Sequence, residues 1–559
     1  MEGLELDFKV NLAHSKWSGF SFFSSIFVIS HLHRMIKKIL NLLLLSLLAI
    51  CPGRAFSQNQ APVILNLYVW ADVANTELHV YFNVTDTEFD DLEIFLGVSA
   101  NDTVYNINTS NATGDLGYPI QQGGNKEIVW NYGAGHPNIL DYKVRVTADD
   151  RYQIDIQAIV DQVDTMNLYQ DLQWIGTQRD HGINEQHLVD VRDSISSRFD
   201  SYGFEISTQS YSFFGDTGVS IIGRHPGVVE DSSTFINDAH YDAVPVAPGA
   251  DDNGSGTVGF LEVARILAPY NFRKSIRFIG FDMEEDGLIG SLNYVNNGGI
   301  QPWEKIKGIF NYEMIGYYSE RVNTQSVPFG FNLAFPAAYD SVAADSFRGN
   351  FITNVACDSS KWLGRMYDSI TRIFVPELRV ISLVAYANSS TSPDLRRSDH
   401  APFWDKGMEA IMLSDGANFR NLNYHTSDDV IDSLNFNFMG NNVKAVVANL
   451  CVLAGIQNSD VEYIGVSTAP VSLKDNVFNA PELQLIPNPA SKQVLIVVSG
   501  KVSTYELKVY DEAGRVVNQQ HISGQSDDIT LDVSKWSAGV YSISIRSEAG
   551  SVVKSLVVQ

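Results

Sequence analysis

Cysteine is nearly absent from this chain: three in 559 residues, at Cys51, Cys357 and Cys451. Three cannot build a disulfide framework, and spacing alone leaves a Cys357–Cys451 bridge open. Positive charge is also scarce, with 39 Lys and Arg against 65 Asp and Glu and a formal net charge of -26. That balance repels a phosphate backbone and excludes a nucleic-acid partner. It suits a soluble protein working outside the cell, or one that binds cations. The apolar run Ile39–Ile50 is too short for a stable membrane span. What the chain does have is hydrophobic residues, 45 % of the total. These suffice for sizeable cores, and the length implies two to four domains.

Met35 opens a stretch with a basic end at Lys37 and Lys38, the apolar run, and small residues at Ala55 and Ser57. This pattern predicts a signal peptide over 35–57, cleaved before Gln58. Residues 1–34, with a second apolar patch at Phe20–Ile29, read as an extension from a mis-assigned start. A lipoprotein anchor at Cys51 is disfavoured by the bulky Ile50 before it.

From 61 to 152 the pattern is short strands and Asn/Gly/Asp turns, as in Val63–Trp70, Glu77–Val84, Leu92–Leu96 and Asp141–Thr147. This predicts a β-sandwich-like domain without a catalytic set. From Asp161 the period changes. Leu188, Val191, Ile195 and Phe199 recur at three and four residues, a helical stripe. Strands predicted at Ser220–Gly223, Ile276–Phe281, Ile306–Asn311 and Ala410–Leu413 alternate with helices at Leu168–Ile175, Leu188–Tyr202, Thr257–Leu267 and Ser291–Asn296. The fold class is α/β, a mixed β-sheet flanked by helices, spanning 160–457 and carrying its site at the carboxyl ends of strands.

Acids collect at those ends. His240–Gly256 reads HYDAVPVAPGADDNGSG, with few large apolar side chains for a core to use. A plain surface loop is the alternative reading of this stretch alone. Glu284 and Glu285 follow one strand, Glu313 the next, and His425 lies in a later loop. His240, Asp251, Glu285, Glu313 and His425 form a nitrogen and oxygen donor set without cysteine. Such a set favours zinc, with cobalt or manganese as alternatives. Two ions must share a carboxylate if each is to keep about four ligands, and Asp251 is the natural bridge, with Asp252 in a strained turn beside it. Singly, each of these residues also reads as a solvated acid or a hydrogen-bonded loop histidine.

In order, these motifs resemble the M28 family of dinuclear zinc aminopeptidases over about 160–455. The matching segments are His240-x-Asp242, Gly249–Gly256, Glu284-Glu285-x-Gly287, Asn311–Met314, Ser398-Asp399-His400 and Tyr424-His425-Thr426. The resemblance implies two zinc ions. His240, Asp251 and Glu313 would hold one, and Asp251, Glu285 and His425 the other, with a cis Asp251–Asp252 peptide. Glu284 would be the general base, Tyr424 the oxyanion donor and Asp242 the partner of the far His240 nitrogen. Asp252, Asp429 and His400 would support the site from behind. Glu313 departs from the aspartate of the best-known relatives by one methylene. The implied substrates are peptides with a free N-terminus. Aromatics of 317–408, among them Phe329, Phe331, Phe335, Phe403 and Trp404, are candidates for an apolar specificity wall. Carboxypeptidase or glutaminyl cyclase activity, or a non-catalytic binding module, are the alternatives on the same scaffold.

The last segment, 475–559, alternates strands and turns from Leu485-Ile486-Pro487-Asn488-Pro489 onward and again predicts a sandwich. Its Pro-Asn-Pro opening, Asp511–Arg515 turn and Trp536–Tyr541 run resemble the C-terminal sorting domain of type IX secretion substrates in Bacteroidetes. That implies a secreted or cell-surface protein with the secretion machinery as partner. A carbohydrate- or protein-binding sandwich is the alternative.

Overall fold

A computed structural model describes residues 59–387, 393–467, 482–499, 504–511, 515–523, 528–547 and 550–559. The leader and start extension expected over 1–57, and the turn at Glu512–Gly514, lie outside the described residues.

The N-terminal region holds β1 (Val63–Asp72), β2 (Glu77–Thr85), β3 (Leu92–Ser99), β4 (Thr113–Gly114), β5 (Gly117–Ile120), β6 (Gly123–Asn131) and β7 (Lys143–Asp149). Alternation places Leu78, Val80, Phe82 and Val84 of β2 on one face, all buried. One sheet runs β1-β2-β6-β4. The other contains β7-β3-β5, and one buried cluster draws on both. Trp130 belongs to that cluster, while Trp70 lies stacked on His79 at 4.7 Å.

Three helices follow, α1 (Ile156–Val160), α2 (Thr165–Ile175) and α3 (Glu185–Ser201). Asp155, Asp164 and Asn184 cap them, each side chain accepting a backbone N–H of the first turn. The α3 stripe Leu188, Val191, Ile195 and Phe199 is buried, as the period requires. Then come β8 (Glu205–Phe213), β9 (Asp216–His225), β10 (Glu230–His240), α4 (Gly256–Leu267), β11 (Asn271–Phe272), β12 (Lys274–Phe281), α5 (Ile289–Asn296) and β13 (Lys305–Tyr312). After the short helices α6 (Phe331–Ala334) and α7 (Pro336–Ala344) the chain continues as β14 (Ile352–Cys357), α8 (Lys361–Phe374) and β15 (Val380–Ala385). It closes this region with α9 (His400–Asp405), β16 (Ala410–Ser414) and α10 (Phe436–Leu450).

Eight of these strands form one mixed sheet in the order β15-β14-β16-β13-β10-β12-β9-β8. At its centre β10 is parallel to both β12 and β13, and β13 is parallel to β16. Four carboxyl ends therefore meet on one edge, where a site in an α/β sheet belongs. Helix α4 packs against this sheet and is buried nearly throughout, and α10 packs against α4 and α8 with most of its residues buried. Phe436–Gly455 is long and apolar enough to cross a membrane by composition, but 78 % of it is buried, which makes it a core helix. Cys357 and Cys451 are both buried and free, so they do not bridge.

Beyond α10, β17 (Ile456–Gln457) pairs with β11, and β18 (Ser459–Gly465) turns back to the beginning. It runs antiparallel to β7 over seven residues and becomes the outer strand of the N-terminal sheet. The chain just past 457, where the α/β region was expected to end, is thus a strand. Among the described residues, the C-terminal region has two sheets, of three and four strands, over one buried cluster including Val494, Ile496, Leu507 and Ile543.

Candidate metal centre

The site is assembled where β10, β12 and β13 end. His240 is the last residue of β10 and is fully buried. Three and four residues past β12 the chain reaches Glu284 and Glu285, and one past β13 it reaches Glu313. His425 arrives from a loop after β16, in the left-handed region at φ 58°. That conformation is uncommon outside glycine and is kept where a fold demands it.

The loop between β10 and α4 is pinned from three directions. Gly249 has φ 64°, and a Cβ there would come within 2.4 Å of the Asp252 carbonyl oxygen. Asp429 accepts the Asp251 and Asp252 N–H groups on its two oxygens, each at 3.0 Å. Arg179 is fully buried, donating to the carbonyls of Tyr241, Pro248 and Gly249 at 2.7–2.8 Å. No motif announces Arg179, because its acceptors are backbone atoms that sequence does not reveal.

This pinning corrects the expected bridge. Asp251 turns inward, where its Oδ1 accepts the Gly316 N–H at 3.0 Å and its Oδ2 the Asn421 amide at 2.8 Å. Burial and the nearby Asp415 and Asp429 carboxylates push its pKa well up. The side chain that faces the histidines is Asp252. Its Oδ1 lies 3.4 Å from His240 Nε2 and its Oδ2 2.9 Å from His425 Nε2. The cis peptide is likewise Asp252–Asn253, not Asp251–Asp252. Adjacent aspartates cannot be told apart by residue type; the kink and the Asp429 clamp decide which one points out.

Two groups result, His240–Asp252–Glu313 and Asp252–Glu285–His425, with the ligand atoms of each within 4.8 Å of one another. Glu313 Oε2 stands 3.2 Å from His240 Nε2, and Glu285 Oε2 the same distance from His425 Nε2. His240 Nε2, both Asp252 oxygens, Glu285 Oε1 and His425 Nε2 are buried without a hydrogen-bond partner. Buried polar atoms are normally paired. Such a cluster of orphans, all hard or borderline donors, fits a pair of zinc ions sharing Asp252.

The surroundings set the electrostatics. Asp242 lies 3.2 Å from His240 Nδ1 and accepts the N–H groups of Glu284 and Glu285. Glu284 is buried 3.8 Å from His240 Nε2. Burial pushes its carboxyl well above the ordinary range, with Glu313 and Glu285 adding to the rise against His240. Burial also lifts Glu285 to about 8. Burial opposes charge on His425, yet the Asp252 and Glu285 carboxylates hold it up at about 10. Ser398 donates to Glu313 Oε2 at 2.9 Å. His400 does not support the metal groups by contact: its Nε2 meets the Leu395 carbonyl, and its ring lies edge-on to Trp404. Burial lowers it to about 4, so it is neutral. Tyr424 is stacked on His425 at 3.9 Å.

Beside the metal groups opens a cavity that Glu313 and Tyr424 help to line. Its walls include Phe331, Phe351, Val355, Ile381, Leu383 and Met412. Of the five aromatics considered for this wall only Phe331 lines it. Phe335 packs on Phe331, Phe403 and Trp404 are core, and Phe329 is fully exposed. One side of the pocket comes from alternate residues of β14, β15 and β16, and the rest from loops such as Gln325–Pro328 and Gly416–Phe419.

Comparison with known proteins finds similarity in two segments of the chain. Residues 220–348 match Peptidase family M28, and residues 484–559 match a Secretion system C-terminal sorting domain. Aminopeptidase YwaD of Bacillus subtilis is 38 % identical over 120 residues, covering 21 % of this chain and 26 % of that protein. The match thus spans about a quarter of that relative. Protein YfbL of Escherichia coli, described as uncharacterized, is 27 % identical over 281 residues, 48 % of this chain and 81 % of its own. The solved LapA aminopeptidase of Legionella pneumophila aligns with 54 % of this chain and 74 % of its own, at 21 % identity and a TM-score of 0.42.

Proposed function

From the M28-family peptidase domain that this chain carries, joined to a type IX secretion sorting domain, we propose a secreted or cell-surface aminopeptidase. It releases the first residue from peptides with a free N-terminus. The observation that carries this reading is Asp252, shared between two groups of unpartnered ligand atoms beside an apolar cavity. In our reading the N- and C-terminal sheet pairs are β-sandwiches, at 61–152 and 475–559, around a peptidase domain of 160–457. Strand β18 belongs to the first of them.

His240, Asp252 and Glu313 would hold one zinc, and Asp252, Glu285 and His425 the other. Bound there, a zinc pair polarises a carbonyl and acidifies water. Glu284 does the proton work. It is adjacent to Glu285 yet outside both ligand groups, so one carboxylate binds metal while the other takes a proton from the attacking water. It then returns that proton to the leaving amine. Asp242 fixes the His240 tautomer and the Glu284–Glu285 turn together. Asp429 fixes the phase of the metal loop. Tyr424 donates to the oxygen that gains charge as the carbonyl is attacked. The apolar wall favours a large hydrophobic first residue.

An assay panel tests this. Leucyl and phenylalanyl p-nitroanilides are compared with glutamyl, lysyl and N-terminal glutaminyl substrates, with and without a chelator. The expected result is chelator-sensitive release from the apolar anilides, restored by zinc. Glu284→Gln should lower kcat by about 10²–10⁴ with zinc content unchanged. Cyclisation of glutaminyl substrates without anilide release would replace the hydrolase by a cyclase, and silence throughout would leave a binding module.

A further inference from the structure

Among the described residues lining the cavity, Arg397 is the only cation. It follows the helical turn Pro393–Arg396 and precedes Ser398, whose hydroxyl holds Glu313. Its Nη2 donates to Tyr424 Oη at 2.9 Å, and its Nη1 donates to Asn418 Oδ1 at 2.9 Å. Asp394 lies 3.7 Å from Nη1, which sets the guanidinium between two anchors. The tyrosine ring is held separately by its stacking on His425, with 14° between the planes.

A phenol oxygen can accept one hydrogen bond and still donate its own. Arg397 occupies the accepting side of Tyr424. Among the described residues none accepts the tyrosine proton, and the ring borders the cavity beside Glu313. We propose that Arg397 is a positioning residue for the oxyanion step, holding the Tyr424 hydroxyl with its hydrogen turned into the cavity. The inference rests on the aminopeptidase reading above. Arg397 does not touch the substrate in this role. A hydrogen bond from a guanidinium also polarises the phenol and makes it a stronger donor as charge builds on the carbonyl oxygen. The tyrosine keeps its proton throughout. A lysine cannot reproduce the two-pronged hold on Tyr424 and Asn418, because its ammonium is a point charge rather than a planar fork.

The test uses the full chain with an apolar aminoacyl p-nitroanilide. Four proteins are compared with the parent: Arg397→Ala, Arg397→Lys, Tyr424→Phe and the Arg397→Ala/Tyr424→Phe double variant. Zinc content and thermal melts are recorded for each. Removing a single oxyanion donor costs about 10²–10³ in kcat, so loss of its positioner should cost roughly tenfold or more. Arg397→Ala is expected to lose that in kcat, with KM within about threefold and zinc retained. In the Tyr424→Phe background the same change should cost less than about twofold, since both act through one donor. Added methylguanidinium should restore part of the rate to Arg397→Ala and none to the double variant. Arg397→Lys should stay near the alanine variant. Additive losses, a rise in KM at constant kcat, or an Arg397→Ala enzyme equal to the parent would each overturn the inference. A KM effect would make Arg397 a reader of substrate charge instead. A parent chain that releases no p-nitroanilide overturns the aminopeptidase reading itself, and this inference with it.

Discussion

Two regions of this molecule bury carboxylates, and they treat them in opposite ways. At the junction of the N-terminal sheet with the chain leaving the central domain, each buried acid is answered. Asp149 accepts the Arg151 N–H and the Gln457 amide, and Asp150 accepts the Tyr152 N–H and the amides of Asn59 and Asn458. At the carboxyl edge of the central sheet Asp252 has no hydrogen-bond partner on either oxygen. The first pattern ties chain segments together. The second holds donor atoms ready for something that is not protein. Burial alone does not mark a functional acid; burial without a partner does.

The largest break in this contrast comes from the adjacent pair. Asp252→Asn should remove binding of both zinc ions and lower kcat/KM by on the order of 10³ or more, while barely changing the melt of the metal-free chain. Asp251→Asn should keep zinc but melt several degrees lower, because Asp251 accepts from Gly316 and Asn421 inside the loop. Elemental analysis beside thermal melts decides, and a swap of the two phenotypes would return the bridge to Asp251. A middle-sized effect is expected at Arg179, which is structural by contact yet serves the metal loop. Arg179→Met strands several buried carbonyls and should cost about 3 kcal/mol. It should also weaken zinc binding about 10–100-fold, as loss of loop support does elsewhere. Chelator competition measures this, and unchanged affinity would separate Arg179 from the site.

The smallest effect sharpens the other side of the contrast. Burial raises Asp149 from 3.8 to about 6. The folded state therefore holds its proton more tightly than the unfolded chain does. That term favours folding fully below about pH 4 and is lost as pH rises through about 6. Asp149→Asn, with Gln457 reoriented to accept, should raise the melting temperature by about 2 °C at pH 8. The gain should shrink toward pH 4, and a pH-independent gain would remove the buried charge as its cause.

The strand ends were legible because a buried parallel strand reads as an apolar run and its last residue is marked by the first acid. His240, Glu285, Glu313 and His425 fall into the metal groups as the sequence suggests. Asp251 and Asp252 were not separable, since the choice depends on a backbone kink and on Asp429, far along the chain. The pocket was only partly legible. Phe331 lines it as the aromatic content of 317–408 suggests, whereas Val355, Ile381 and Leu383 of β14 and β15 alternate in a way that any half-buried strand shows. Arg179 and Arg397 carry no signal of their own, because their partners are carbonyls and hydroxyls brought near by folding. Strand β18 was hidden for another reason: its polar residues face outward from an edge that only the N-terminal sheet completes.

That returning strand has a consequence for how the molecule is made. Asp149 and Gln457 stand 308 positions apart, yet they bond across the seam that β18 closes. A chain emerging amino end first leaves its earliest sheet unfinished until the whole catalytic core has been delivered. The clasp then shuts from outside, fastening the first module and the last turn of the core in one stroke. Anyone wishing to exchange the front module would have to carry residues 459–465 with it, for the two are a single part written in two places.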